Sequence, residues 1–536
     1  MALSLPRLSL LFVACLSSIA SVSGNRYGDK VHWHGRDSSH NLTAREEPSQ
    51  VEARSTKGFR FLTEATEPFR VKSLPDVDFD VGEMYSGLMP IQMNDTSRAL
   101  FFVYQPTIGA PVDEITIWLN GGPGCSSLEG FFQENGRFLW QTGTYAPVEN
   151  AYSWVNLTNV LWVEQPVGTG FSPGKVTATT QEEIAQDFVG FFLNFQKTFG
   201  IKKFKIYVAG ESYAGRYVPY ISAAMIDQHD TNYFDLSGAM TYDPCIGSFD
   251  YVQEEVVAVP FVHANNAVLN INSSYLAYLD GLDETCGYAD FRNKYLQFPP
   301  TKHQPITYFS DENDYACDVF DMAVNAALNV NPCYNIYHVS DACPLQSDVL
   351  GFPGLLEYIT PGLPVYFDRA DVKKAVHAPD TPWVVCSNEP VIIGPPNQGP
   401  EEYTGDLSAD PIQHVLPKVI EHTNRTLISN AQLDMIIITN GTLLSIQNMT
   451  WNGKLGFQQR PSTPIVITLE DLQYEAIFDA NGYEGLDDPQ GTLGVQHFER
   501  GLMWAETWAA GHMQPGYQPR SSYRHLQWLL GHIETL

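Results

Sequence analysis

Three features of the 536-residue chain predict an α/β fold with a doubly wound, mostly parallel sheet. First, two near-continuous apolar runs, at 115–119 (Ile-Thr-Ile-Trp-Leu) and 160–163 (Val-Leu-Trp-Val), each end in turn residues. A strand that is apolar on both sides has both faces covered, as in the middle of a parallel sheet. Second, apolar residues recur at helical spacing across 181–199, which places a helix after those strands. Third, the run 205–216 (Lys-Ile-Tyr-Val-Ala-Gly-Glu-Ser-Tyr-Ala-Gly-Arg) reads as strand, sharp turn and helix, continuing the alternation that marks α/β architecture.

Along the chain, residues 1–24 combine one early positive charge, a short apolar run and small residues, the pattern of a signal peptide. Its apolar part is too short for a membrane span, and no later run reaches the roughly 18 residues a span needs, so a secreted, extracellular protein is expected. Residues 25–70 are polar and without strand or helix period, and are read as a propeptide or flexible N-terminal arm. Ordered sequence is expected from near Gly82, with a hairpin strand at 100–105. The core is assigned to 71–249 and 363–536. Between them, in 250–362, helical stretches such as 316–329, prolines and four cysteines replace clean strands, predicting a helical, disulfide-bearing cap inserted over the strand ends. Core pattern resumes with a helix at 369–377, a strand at 425–429 and an apolar run at 501–510.

A formal charge of −30 argues against nucleic acid and anionic membrane as partners, since both would repel the protein. Seven Asn-x-Ser/Thr sequons, at Asn41, Asn94, Asn156, Asn272, Asn424, Asn440 and Asn448, fit the secretory route, with their sugars on the surface. Removing Cys15 with the leader leaves seven of eight cysteines, so at least one thiol stays unpaired. Cys333 with Cys343, and Cys286 with Cys317, are the simplest local pairs, although sequence alone leaves the connectivity open. Neither a His-x-x-x-His nor a paired Cys-x-x-Cys spacing occurs, so no metal or cofactor is expected.

The turn in 205–216 carries the chemistry. Small residues around Ser212 let the chain pass sharply from strand to helix, lifting the hydroxyl out of the backbone. Gly210 precedes the serine by two, but Ala214 stands where glycine is usual and Gly215 comes one later. A serine nucleophile needs a general base, and the base needs a carboxylate to fix its tautomer. In this architecture the chain order is serine, acid, histidine, which selects Asp434, after the strand at 425–429, and His512, after the run at 501–510. All three then lie at carboxyl ends of strands, where open α/β sheets place their sites. The glycines following strand 115–119, in Asn120-Gly-Gly-Pro-Gly-Cys125, expose N–H groups able to stabilise an oxyanion.

Three strings, Trp-Leu-Asn-Gly-Gly-Pro-Gly-Cys-Ser-Ser at 118–127, Gly-Glu-Ser-Tyr-Ala-Gly-Arg-Tyr-Val-Pro at 210–219 and Gly-His-Met-x-Pro at 511–515, together resemble the motifs of serine carboxypeptidases. The stretch 440–453 is similar to their secreted fungal branch. The resemblance implies an α/β-hydrolase core and release of single C-terminal amino acids from peptides with a free C-terminus, at acidic pH, through an acyl-enzyme. It implies Ser212, Asp434 and His512 as the triad, and the N–H groups of Gly122 and Tyr213 as the oxyanion hole. Asn120, the Gly121 N–H, Glu134 and Glu211 would hold the substrate carboxylate, and Cys125 would pair with Cys386. Glu164 stands where the family usually has aspartate and Gln514 where it has valine; both are read as shaping subsites rather than chemistry. The alternatives are an acyltransferase using the same acyl-enzyme, or a catalytically silent binding protein on the same fold.

Overall fold

A computed structural model describes residues 58–307, 309, 315–344, 346–351, 363–394, 405–467 and 491–536. The expected signal peptide, most of the expected arm and Asn41 lie outside these residues. Ten strands form one sheet: β1 (Tyr85–Gln92), β2 (Asp95–Gln105), β3 (Glu114–Leu119), β4 (Asn159–Glu164), β5 (Lys205–Glu211), β6 (Asp235–Tyr242), β7 (Thr426–Ala431), β8 (Thr463–Ile467), β9 (Gly491–Glu499) and β10 (Leu502–Thr507). Their spatial order is β1-β2-β4-β3-β5-β6-β7-β10-β9-β8. The inner pairings, from β4/β3 through β7/β10, are parallel, and the outer ones at both edges are antiparallel. Proline cannot donate to a ladder, and the two strand prolines, Pro90 and Pro464, fall on the edge strands β1 and β8.

Helices cover both faces. On one, α1 (Gln181–Phe199) and α2 (Ala214–Asp227) pack with the helix Val415–Thr423 in a cluster holding Phe188, Phe191, Phe192, Phe195 and Phe199. Helix α1 starts where the Thr180 side chain accepts from the Glu183 N–H and stops at Gly200, at φ 68°. The opposite face is a cluster of Trp118, Trp154 and Trp162 with residues of the C-terminal helix Pro519–Leu529. Residues 58–70 belong to the body rather than to a loose arm. Phe61 stacks edge-on to Tyr104 at 5.4 Å, Phe69 lies 5.5 Å from Phe102, and Glu83 accepts from the Arg60 and Phe61 N–H groups.

The insertion after β6 is helical, as expected: α3 (Val256–Leu269), α4 (Ser273–Thr285), α5 (Tyr288–Tyr295) and α6 (Val319–Val330). Its apolar cluster includes Met435, Ile438 and Leu444, so it packs on the chain just beyond Asp434. Disulfides join Cys286 to Cys317 and Cys333 to Cys343 within it, and Cys125 to Cys386 in the core; Cys245 is free and buried. Among the described residues no helix is long and apolar enough to cross a membrane. Asn94, Asn272 and Asn424 are exposed, whereas Asn156, Asn440 and Asn448 are half-buried.

Candidate active site

The strand order reverses direction at β3, with β4 on one side and β5 on the other, and the crevice beyond the carboxyl ends of such strands is where α/β sheets bind ligands. Ser212 leaves β5 with φ 63°, a conformation costly for any residue but glycine. Neighbours hold it there: its N–H donates to Tyr242 O at 2.9 Å, and its carbonyl accepts from Cys245 N at 3.0 Å. The departure at Ala214 follows from packing. A Cβ on Gly215 would lie 2.6 Å from Cys245 N, so the small residue is needed one place later than in the usual pattern. From β3, Gly121 presses on the same turn; a Cβ there would meet Tyr213 N at 2.5 Å and Ser212 Cβ at 2.6 Å. The glycine loop and the serine turn therefore touch, with Gly122 (φ 111°) and Tyr213 on either side of the contact. The Tyr213 hydroxyl is tied down separately, donating to Asp406 Oδ2 at 2.6 Å.

His512 Nδ1 donates to Asp434 Oδ2 at 2.6 Å, and Asp434 Oδ1 accepts from the Ile436 N–H at 2.9 Å. Both are buried, at 2 % and 0 % exposure. Asp434 fixes the proton on Nδ1 and so leaves Nε2 free to accept. That atom is buried and has no partner in the protein, so the structure joins His512 to Asp434 but shows no hydrogen bond to Ser212. Such contacts are often long until substrate is bound. Burial lowers the imidazole pKa, against the opposing pull of Asp243 and Glu134.

Asn120 organises the remaining carboxyls. Its Nδ2 donates to Glu134 Oε1 at 3.1 Å and Glu211 Oε1 at 2.8 Å, while its Oδ1 accepts from Trp118 Nε1 at 2.7 Å. The two glutamates are buried, their Oε1 atoms meet on the same Asn120 Nδ2, and the second oxygen of each has no partner in the protein, so the pair cannot both ionise and keeps a proton. Burial raises both pKa values, and for Glu211 the charge of Glu134 adds to it. Glu129, which the sequence reading passed over, is a third buried carboxyl, raised by burial and by Glu134 and Asp348.

The two family departures are both buried and bonded within the protein. Glu164 is wholly buried behind the glycine loop, where it accepts from Ser126 Oγ, from Trp383 Nε1 at 2.9 Å and from the Phe171 N–H at 2.6 Å. It thereby links segments adjoining the two ends of the Cys125–Cys386 bridge, and burial raises its pKa to about 7. Gln514 points into the protein, toward Asp243. Asp243 is not legible in the sequence, because β6 mixes glycine, serine and threonine among its apolar residues; as a carboxyl just past a strand next to β5, it meets the same positional rule as Asp434. Among the described residues, Asp243, Asp434 and His512 are the set whose donor atoms come close enough for a cation, within 4.8 Å of one another, but all three are engaged in hydrogen bonds.

A mostly parallel sheet of this order, with a serine at a sharp β5–α2 turn and an acid–histidine pair after β7 and β10, defines an α/β-hydrolase. The family profile of serine carboxypeptidases matches residues 75–532, and the chain belongs to that family. It is 59% identical over 522 residues to serine-type carboxypeptidase F of Aspergillus niger, covering 97% of each chain. It is 44% identical to a probable serine carboxypeptidase of Arthroderma benhamiae, covering 86% of each. The crystal structure of a prohormone-processing carboxypeptidase, Kex1(Δ)p of Saccharomyces cerevisiae, superposes with a TM-score of 0.63 at 21% identity over 87% of this chain and 96% of that one, a likeness of fold. The protein is therefore a serine-type carboxypeptidase acting on peptides.

Proposed function

We propose that Ser212, His512 and Asp434 form the triad that removes single C-terminal amino acids, that the reaction is favoured in acid, and that the enzyme works outside the cell. The observation that carries the reading is the buried Asn120–Glu134–Glu211 cluster, which adjoins the Ser212 turn through Glu211 and Gly121. With a shared proton, these groups present donors to a substrate α-carboxylate alongside the Gly121 N–H. Deprotonated, they would repel it.

With the carboxylate seated, Ser212 Oγ attacks the last peptide carbonyl while His512 Nε2 takes the hydroxyl proton. The Gly122 and Tyr213 N–H groups receive the oxyanion. Collapse expels the C-terminal amino acid, whose nitrogen takes the proton back from Nε2, and water then resolves the acyl-enzyme by the same route. The lowered pKa of His512 suits an acid-active enzyme, because only neutral imidazole can act as the base.

The test is release of free amino acid from a blocked dipeptide and from its C-terminal amide, at acidic and neutral pH, by wild type and Ser212→Ala. Acid-favoured cleavage of the free acid, lost in the variant, is expected. Activity surviving in Ser212→Ala, or equal cleavage of the amide, would overturn the reading.

A further inference from the structure

Behind the acid–histidine pair lies a buried carboxyl that the reaction above does not use. Asp243 follows β6 at φ 42°, and its N–H donates to Ser429 O at 2.8 Å. Its Oδ1 accepts from the Ala431 N–H at 2.7 Å and its Oδ2 from Gln514 Nε2 at 2.6 Å. Gln514 is 0 % exposed, and its Oε1 accepts from Ser429 Oγ at 2.7 Å, which lies 3.1 Å from Thr507 Oγ1. The ends of β6, β7 and β10 thus converge on one side chain. One oxygen of that side chain, one of Asp434 and one ring nitrogen of His512 lie within 4.8 Å of one another, and both carboxyls are buried. Two carboxyls so close and so dry cannot both be ionised, so one of them keeps a proton. Asp434 takes its bond from His512 Nδ1, a partner that becomes cationic in the reaction and favours an ionised acceptor, whereas Asp243's donors are neutral amides, so the proton belongs on Asp243.

We propose that Asp243 is a positioning residue for acyl transfer: clamped by Gln514 and the Ala431 N–H, it donates an O–H hydrogen bond to Asp434 and so fixes the carboxylate that orients His512. The inference rests on the triad reading. Burial and the neighbouring Asp434 charge raise the Asp243 pKa, consistent with a neutral group. Neutrality matters for the base as well as for geometry. An ionised Asp243 would be a second anion beside His512, strengthening its hold on a proton and silencing it in acid. The other titratable groups near Asp243 are Glu211 and Tyr242, and those near His512 are Glu134 and Tyr337; Cys245, two residues beyond Asp243, has Arg216 beside it. Gln514 supplies the clamp here through a side chain that the family's usual valine does not have.

The test is kcat and KM on a blocked dipeptide from about pH 3 to about pH 7, for the full enzyme and for Asp243→Ala, Asp243→Asn and Gln514→Leu. Asp243→Ala is expected to lower kcat by about 50-fold with KM within about twofold, since it removes orientation rather than binding. Asp243→Asn can replace the O–H donor with an N–H, the Gln514 amide turning over to accept from it and donate to Ser429. That variant should recover kcat to within about fivefold of wild type, with the acid limb of kcat displaced by less than about 0.3 pH unit. Gln514→Leu should lower kcat by about tenfold. Full kcat in Asp243→Ala would overturn the proposal. So would an acid limb moved down by about one unit in Asp243→Asn, because Asp243 would then have been an anion. If Asp243→Ala does not fold, full kcat in Gln514→Leu decides against it. Asp434→Asn separates the two readings: wild-type kcat there would sink the triad itself, whatever the Asp243 variants do.

Discussion

Replacing Glu134 and Glu211 together by glutamine should remove the pH dependence of KM. Both Oε1 atoms share the single Asn120 Nδ2, at 3.1 and 2.8 Å, which places them no more than about 6 Å apart. A substrate carboxylate bound beside them adds a third acid at similar range. One pair of like charges about 6 Å apart costs about 3 kcal/mol at an effective dielectric of about 20, a factor of about 100 in binding. The sign follows from the raised pKa values of both glutamates. The shared proton is present in acid and is lost as pH rises through the raised value of the pair. Wild-type KM should therefore stay level in acid and then climb by up to about tenfold per pH unit, toward a ceiling of about 100-fold. The double variant, neutral at every pH and still able to hydrogen-bond, should vary by less than about threefold and fall below wild type at neutral pH. Initial rates of amino acid release across the pH range, fitted separately for kcat and KM, provide the assay. A double variant retaining the wild-type slope of KM would refute the assignment, as would a wild type whose pH dependence lies wholly in kcat.

Further expectations concern the turn, the stability and the surface. Gly121→Ala puts a methyl 2.5 Å from Tyr213 N and 2.6 Å from Ser212 Cβ, so the nucleophile must shift; kcat should fall at least about 100-fold, and a loss below about threefold by steady-state kinetics would contradict the packing. Glu164 is buried and its pKa is raised to about 7 from 4.5, so the folded state holds a proton that the unfolded chain releases. Its contribution is present in full below about pH 4.5 and is lost as pH rises through about 7, amounting to about 3 kcal/mol. Urea midpoints should fall over that window and fall less in Glu164→Gln; a midpoint that rises would reverse the sign of the argument. Peptide mapping before and after glycosidase treatment should find sugar at the exposed Asn94, Asn272 and Asn424, and a bare chain at all three would count against the secretory route.

Local regularities were legible in the sequence because they arise from neighbours in the chain. Apolarity on both faces identified β3 and β4, helical spacing identified α1, and the small residues around Ser212 identified the sharp turn. Local strings in the right order, Gly-His-Met-x-Pro around His512 and the stretch 440–453 just beyond Asp434, nominate two residues that the fold brings to 2.6 Å across 78 positions. Strand β6 was missed because Asp235–Tyr242 interleaves glycine, serine and threonine among its apolar residues, and with it went Asp243. The edge strand β8 and its neighbour β9 show no continuous apolar signature either, because exposed and buried positions are mixed along both. Nothing local tells Gln514 to turn inward or Glu164 to sit behind the glycine loop. A polar side chain beside a motif reads as a lining group until its partners are known, and these partners come from strands and loops as many as 271 positions away. The identity of the reacting groups is a property of the chain. Their protonation is a property of the fold, because only tertiary packing decides which carboxyls lose water, which meet each other, and which must therefore keep a proton.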